Sequence, residues 1–335
     1  LDEASLYHFS IMSDTKGDTL GDTEYTRGHN WIAATSEFVM GLGDNTKGSS
    51  TSYLNMIRND SWWKNNFYPN VADGENETFG SGQSDWGAGR KVFNYVNNMW
   101  GRPNVVKNPH DNPDGNGNVS DYYFHFEKGG VTVHILSLEF SDSGIGLASL
   151  SQQFLEDKLH DFAALKTAEP GKHLVIILGH SNGGNFLKAA LSKGLSTYRK
   201  QLVCEVADLC VGATNHRYVN WHTYGEYGPD SAIHMNSGAM SNPNIHSQDG
   251  YMDIHVFDNP GRMSIQYVST FQSSRKLQTQ KVTIDQDGRT YHTGAWVKEA
   301  DGPSYEVDWN AFPLVPPTNS ATVISHNVPD ILMPG

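Results

Sequence analysis

Short apolar runs recur along the chain, and most of them stop at a polar turn. Residues 6–12 (LYHFSIM), 38–42 (FVMGL), 67–71 (FYPNV), 173–178 (HLVIIL) and 209–212 (LCVG) read as strands. The second and fourth lack polar interruption, as strands buried on both faces do. Residues 122–128 and 131–137 alternate on either side of Gly129-Gly130, the pattern of a β-hairpin. Residues 232–235, 251–257 and 263–269 read as strands of a second sheet. Helical spacing appears around 31–36, 51–58, 91–100, 150–159, 185–193 and 198–206. Residues 103–120, rich in Asn, Pro, Gly and Asp, predict a loop. Strands alternating with helices predict an α/β domain over residues 1–299, and the proline-rich residues 300–335 a tail packed on its surface.

The strand ends carry the chemistry. Asp14, Asp44, Asp73, His180 and His216 each follow one of the apolar runs. In open α/β sheets, ligands sit outside the carboxyl ends of strands. A lone histidine there is more often a hydrogen-bonded structural residue than a ligand. Five acid or imidazole groups on five successive tips form a pattern, and that donor set suits a divalent ion such as Zn, Mn or Fe.

Bulk composition narrows the partners. A chain of 335 residues with a net charge of −13 is a poor match for nucleic acid or an anionic membrane. No apolar run reaches the roughly 20 residues of a membrane helix. A chain that opens on Leu1 with no leader reads as a processed one, so a secreted or periplasmic location is expected. Cys204 and Cys210 are close enough for a small disulfide, and two buried thiols are equally allowed. Asn59, Asn76 and Asn118 open N-x-Ser/Thr sequences.

The order and context of the strand ends resemble the calcineurin-like metallophosphoesterases, which include the purple acid phosphatases. Ser13-Asp14-Thr15-Lys16-Gly17 stands at that family's Asp motif, and Gly43-Asp44-Asn45 at its Gly-Asp motif. Asn70-Val71-Ala72-Asp73-Gly74-Glu75 stands at its Gly-Asn-His-Asp/Glu motif, with Asp73 in place of the asparagine and Gly74 in place of the histidine. Gly179-His180 stands at its Gly-His motif, and Thr214-Asn215-His216 at its His-x-His motif, with Thr214 for the first histidine. The resemblance covers about residues 6–269 and implies a four-layer α/β/β/α sandwich of two mixed sheets flanked by helices. It implies one metal position at Asp14, Asp44 and His216, and a second at Asp44, Asp73 and His180. Each has lost a ligand relative to the family. Lys16 stands where some members have a histidine, and an ammonium cannot ligate while protonated. Charge counting suggests that Lys16 neutralises Asp14 while one divalent ion balances Asp44 and Asp73.

Other residues fit around that centre. Glu75 suits a base or an orienting group, and Lys47 and Asn182 suit contact with an anion, or a solvated and a turn position respectively. The 218–227 loop, with Trp221, His222 and Tyr224, suits stacking on a sugar or aromatic group, or plain packing. Trp62, Trp63 and Trp86 suit core or rim positions. The function this implies is metal-dependent hydrolysis of phosphate esters, with Lys16, Glu75, His180 and His216 as catalytic residues. The alternatives are a secreted enzyme that turns the scaffold to another reaction, such as uronate polysaccharide lysis, and a non-catalytic binding protein. The expected substrate is a small molecule or a polysaccharide.

Overall fold

The computed structural model describes residues 5–15, 23–43, 45, 52–70, 72–73, 101–110, 121–141, 146–147, 149–180, 195–213, 222–223, 233–236, 250–258, 262–269 and 277–283. The expected helices at 91–100 and 185–193 and the tail at 300–335 lie outside them. In chain order the elements are β1 (Tyr7–Met12), α1 (Thr23–Thr35), β2 (Val39–Leu42), α2 (Ser52–Asn59), α3 (Ser61–Asn66), β3 (Phe67–Asn70) and β4 (Ala72–Asp73). There follow β5 (Val105–Lys107), β6 (Tyr122–Lys128), β7 (Val131–Ser137), β8 (Phe140–Ser141), β9 (Gly146–Leu147), α4 (Ser149–Ala168) and β10 (His173–Leu178). The remainder are α5 (Thr197–Val206), β11 (Leu209–Gly212), β12 (His222–Thr223), β13 (Ile233–Asn236), β14 (Gly250–Phe257), β15 (Arg262–Ser269) and β16 (Leu277–Thr283).

Two mixed sheets form the centre. One has the order β16-β15-β14-β1-β2-β3, the other β12-β13-β11-β10-β7-β6-β5, and a small third sheet has β4-β8-β9. Strands β1, β2 and β3 run parallel, as do β7, β10, β11 and β13. The two large sheets face each other across one apolar cluster. Tyr7, Phe9 and Ile11 of β1 meet Phe124, Val133, Ile135, Ile176 and Val211 of the second sheet there. Phe38 stacks on Phe9 at 4.5 Å and meets Phe124 edge-on at 4.9 Å, so aromatic contact continues from one sheet to the other.

Period two then places the alternate residues outward. Val175 and Ile177 of β10 pack outward with Phe154, Leu159 and Phe162 of α4 and Val203 of α5. On the opposite outer face, Tyr53 of α2 reaches Met12 of β1 through a 3.9 Å OH···Sδ contact. The layers are therefore helix, sheet, sheet, helix, as expected. Cys204 and Cys210 are buried and not bridged. Among the described residues, no helix is long and apolar enough to cross a membrane.

The hairpin β6–β7 forms with the expected register, Lys128 opposite Val131. Gly129 and Gly130 have φ of 63° and 80°, the two positive angles that a tight two-residue turn requires. Three expectations change. The strands at 232–235, 251–257 and 263–269 do not share a sheet of their own. β13 extends the second sheet beside β11, while β14 pairs with β1 in the first and β15 pairs with β14. Local pattern marks a strand but not its partner, which is set by tertiary packing. Within the loop expected at 103–120, residues 105–107 form an edge strand on β6, whose exposed Val106 and Lys107 gave no periodic signal. The predicted 150–159 helix runs on to Ala168. Also unforeseen, α3 starts at Asp60, whose carboxylate accepts from Trp62 N and Trp63 N. Of the tryptophans, Trp63 is buried, Trp62 is half-buried and Trp86 lies outside the described residues. Asn59 is exposed at the end of α2, and Asn76 and Asn118 lie outside.

His29 of α1 is buried, stacked on Trp63 at 3.8 Å, and burial pushes its pKa down to about 3. A histidine depressed in the fold contributes stability that is present above its unfolded pKa of about 6.5 and lost as pH falls towards 3. The loss runs at up to about 1.4 kcal/mol per pH unit. His29→Phe is expected to match the parent at pH 7.5 and to exceed it by about 3 kcal/mol at pH 4.5. Urea unfolding of both proteins at stepped pH checks this, and parallel pH profiles would refute it.

Candidate functional site

The carboxyl ends of the parallel strands of both large sheets meet at one end of the sandwich. Asn70, the last residue of β3, ties them together. Its Nδ2 donates to Ser137 Oγ at 2.7 Å and to Leu138 O at 2.9 Å, at the end of β7. Its Oδ1 accepts from His180 N at 3.2 Å, just beyond β10. Its own carbonyl accepts from Gly43 N at 3.2 Å and from Asn45 Nδ2 at 2.8 Å, beyond β2. Asn70 therefore uses all its amide groups as a brace across the two sheets.

His180 is held from a second direction. Its Nδ1 lies 2.8 Å from Leu42 O, the end of β2. A carbonyl oxygen only accepts, so Nδ1 carries the proton and the neutral ring keeps its lone pair on Nε2. A backbone carbonyl behind the ring is the arrangement that orients metal-ligating histidines. Gly43 makes the approach possible. Its φ is 69°, and a Cβ there would lie 2.4 Å from His180 Cβ and Cγ. Gly43→Ala is expected to cost about 2–4 kcal/mol, from the left-handed backbone and the clash together. It should also turn the imidazole away from Leu42. The histidine ring signals in NMR and a denaturant titration check both, and an unshifted ring at parental stability would refute it.

Asp14 completes the described part of the site. It is fully buried just past β1, and its N donates to Gly43 O at 3.2 Å. Its φ of 51° is left-handed, a conformation that aspartate tolerates better than most residues but that still carries strain. Strained backbone at a strand end is a recurring mark of functional positions. Just before β6, Asp121 is fully buried and accepts from Glu139 N at 2.8 Å and from Asn108 Nδ2 at 3.0 Å. Burial pushes its pKa up to about 6, against the pull of those bonds.

Of the predicted site residues, Asp14 and His180 are thus brought to one end of the sandwich. The strand running into Asp73 ends instead at Asn70, and Asp73 belongs to β4, paired with β8 in the third sheet. Lys16, Asp44, Glu75 and His216 lie outside the described residues, as do Lys47 and Asn182, and of the aromatic loop only His222 and Thr223 are described, as β12. Asn70 was missed because residues 67–71 read as one strand running on into the acid at 73, which drew the assignment. Its signal was available: it is the polar residue that ends the apolar run itself.

Among the described residues, the side chains spaced to hold an ion are His8, Asp253 and His255, on β1 and β14. Burial raises the Asp253 pKa, but the neighbouring His8 and His255, at 3.4 and 3.5 Å, outweigh that and hold it well below the usual carboxylate range.

No protein-family model and no curated protein matches the chain. Among solved structures, the chain is similar to the crystal structure of Vps29 from Chaetomium thermophilum, at 11% sequence identity and a TM-score of 0.34, with 86% of this chain and 98% of that one covered.

Proposed function

We propose that the strand-tip site is a metal-dependent phosphoesterase centre. The observation that carries this is the Leu42 carbonyl behind His180 Nδ1, which leaves Nε2 as the ligating nitrogen of the neutral ring. The motif resemblance at Asp14, Asp44, His180 and His216 supports the same reading. Asp44, Asp73 and His180 are the residues that would hold one divalent ion, of the Zn, Mn or Fe class, while Lys16 stands in for an ion at the position of Asp14, Asp44 and His216. When bound, the ion supplies a Lewis acid and lowers the pKa of a water.

The chain's own groups supply the rest. Lys16 offsets the charge of Asp14 and stabilises negative charge developing on the phosphate ester. Glu75 takes a proton from the attacking water. Asn70 keeps His180 and Gly43 in place and does not itself touch the substrate. The substrate is a small phosphate monoester or diester, and the location is secreted or periplasmic.

The test is a screen of chromogenic phosphate monoesters and diesters with added zinc, manganese or iron, run on the parent and on Asp44→Asn. Asp44→Asn is expected to lower turnover by at least about 100-fold and to remove one equivalent of metal, with the fold intact. Full turnover and metal content in Asp44→Asn would overturn the metal assignment. No phosphate release from the parent, together with new unsaturated ends on a uronate polysaccharide, would replace hydrolysis by lysis.

A further inference from the structure

Strands β1 and β14 are antiparallel, with His8 directly opposite His255 and Ser10 opposite Asp253. Period two puts these four side chains on one face. It is the outer face, since Tyr7, Phe9 and Ile11 point into the apolar cluster between the sheets. His8 Nδ1 lies 3.4 Å from Asp253 Oδ1, and His255 Nε2 lies 3.5 Å from Asp253 Oδ2. One donor atom from each of the three residues can be chosen so that all lie within 4.8 Å of one another. The two ring nitrogens are shielded from solvent and make no hydrogen bond among the described residues. A spacing of about 3.3–3.4 Å is what two ligand atoms adopt on an ion bound tetrahedrally at about 2.0–2.1 Å.

We propose that His8, Asp253 and His255 form a second metal site, separate from the strand tips, that takes a divalent first-row cation of the zinc class. Two imidazoles and one carboxylate suit such an ion. The surroundings orient the donors as metal sites require. Ser10 Oγ donates to Asp253 Oδ1 at 3.3 Å and is itself within 2.8 Å of Ser36 Oγ. Ser5 Oγ lies 3.4 Å from His255 Nδ1, which turns the other ring nitrogen towards Asp253. The His8 and His255 side chains remain 19% and 13% exposed, so an ion can reach the group from solvent. His8 precedes the end of β1 by four residues, roughly 13 Å of extended strand, so the ion does not belong to the strand-tip crevice. Its role is to fasten β14 to β1, joining a late part of the chain to an early one.

The experiment uses the full chain stripped with a chelator, carrying Asp44→Asn so that the strand-tip site is disabled, and then titrated with zinc alone. One equivalent is expected to remain after gel filtration, with a rise of several degrees in Tm. Both should disappear in His8→Gln and in His255→Gln added to that background. Zinc that fails to bind, or that binds equally well to both glutamine variants, overturns the proposal. Should the variants not fold, anomalous scattering from zinc-soaked crystals of the unmodified chain decides the matter. A peak between the three side chains upholds the site, and no peak there rejects it.

Discussion

Asn70→Ala is expected to lower unfolding free energy by about 3–5 kcal/mol, more than any other substitution at the strand tips. The side chain makes three hydrogen bonds in a fully buried setting, to Ser137 Oγ, Leu138 O and His180 N. Ser137 can rotate its hydroxyl to a new partner, but a backbone carbonyl and a backbone N–H cannot. Each buried group left unsatisfied costs about 1–3 kcal/mol. Asn70→Asp separates the contributions. It keeps an acceptor for His180 N but sets a carboxylate oxygen against Leu138 O, so it should be nearly as damaging. Urea titration of the three proteins, with m unchanged, is the measurement. A loss below about 1 kcal/mol in Asn70→Ala would show that the sheets hold their relative positions without this brace.

Asp208→Ala is expected to be as severe, away from the site. Asp208 lies between α5 and β11, fully buried, and its Oδ2 accepts from Lys166 Nζ at 2.6 Å and from Val175 N at 2.7 Å. Lys166, on α4, also donates to Val206 O at 2.9 Å. Burial pushes both groups towards their neutral forms, raising Asp208 and lowering Lys166. The pair is therefore a clamp with a high desolvation cost, not a free gain. Removing the carboxylate from a buried ammonium costs about 3–5 kcal/mol. Lys166→Met should cost less, because a carboxyl whose pKa is already near 6 takes up a proton readily. A double-mutant cycle on the two positions should give a coupling above about 1 kcal/mol. Additive losses would mean that the two side chains act independently.

The sequence pattern was most legible where it was local. The Gly129-Gly130 turn, the β10 run HLVIIL and the β11 run LCVG announce their elements within a few residues, and the structure has the same bounds. Partnership was not legible, because a strand such as β14 carries the same alternation whichever sheet receives it. The site divides the same way. Asp14 and His180 follow long apolar runs and stood out. Asn70 looks like one more strand residue until the bonds to Ser137, Leu138 and His180 are seen. The His8–Asp253–His255 group brings together residues from distant parts of the chain, and only the β1–β14 register makes them neighbours.

That register also governs how the chain comes off the ribosome. β1 lies between β2 and β14 in the finished sheet, with every residue but His8 buried. On the β2 side it finds its neighbour early. Its other edge must wait for a strand encoded about 240 residues later, which at 5–20 residues per second is roughly 10–50 s of synthesis. During that interval the nascent chain presents an apolar, unpaired strand edge, the kind of surface on which chains aggregate or recruit chaperones. A product stopped short of β14 would keep that edge permanently open, so a chain ending before residue 250 is expected in the pellet and not the soluble fraction after expression.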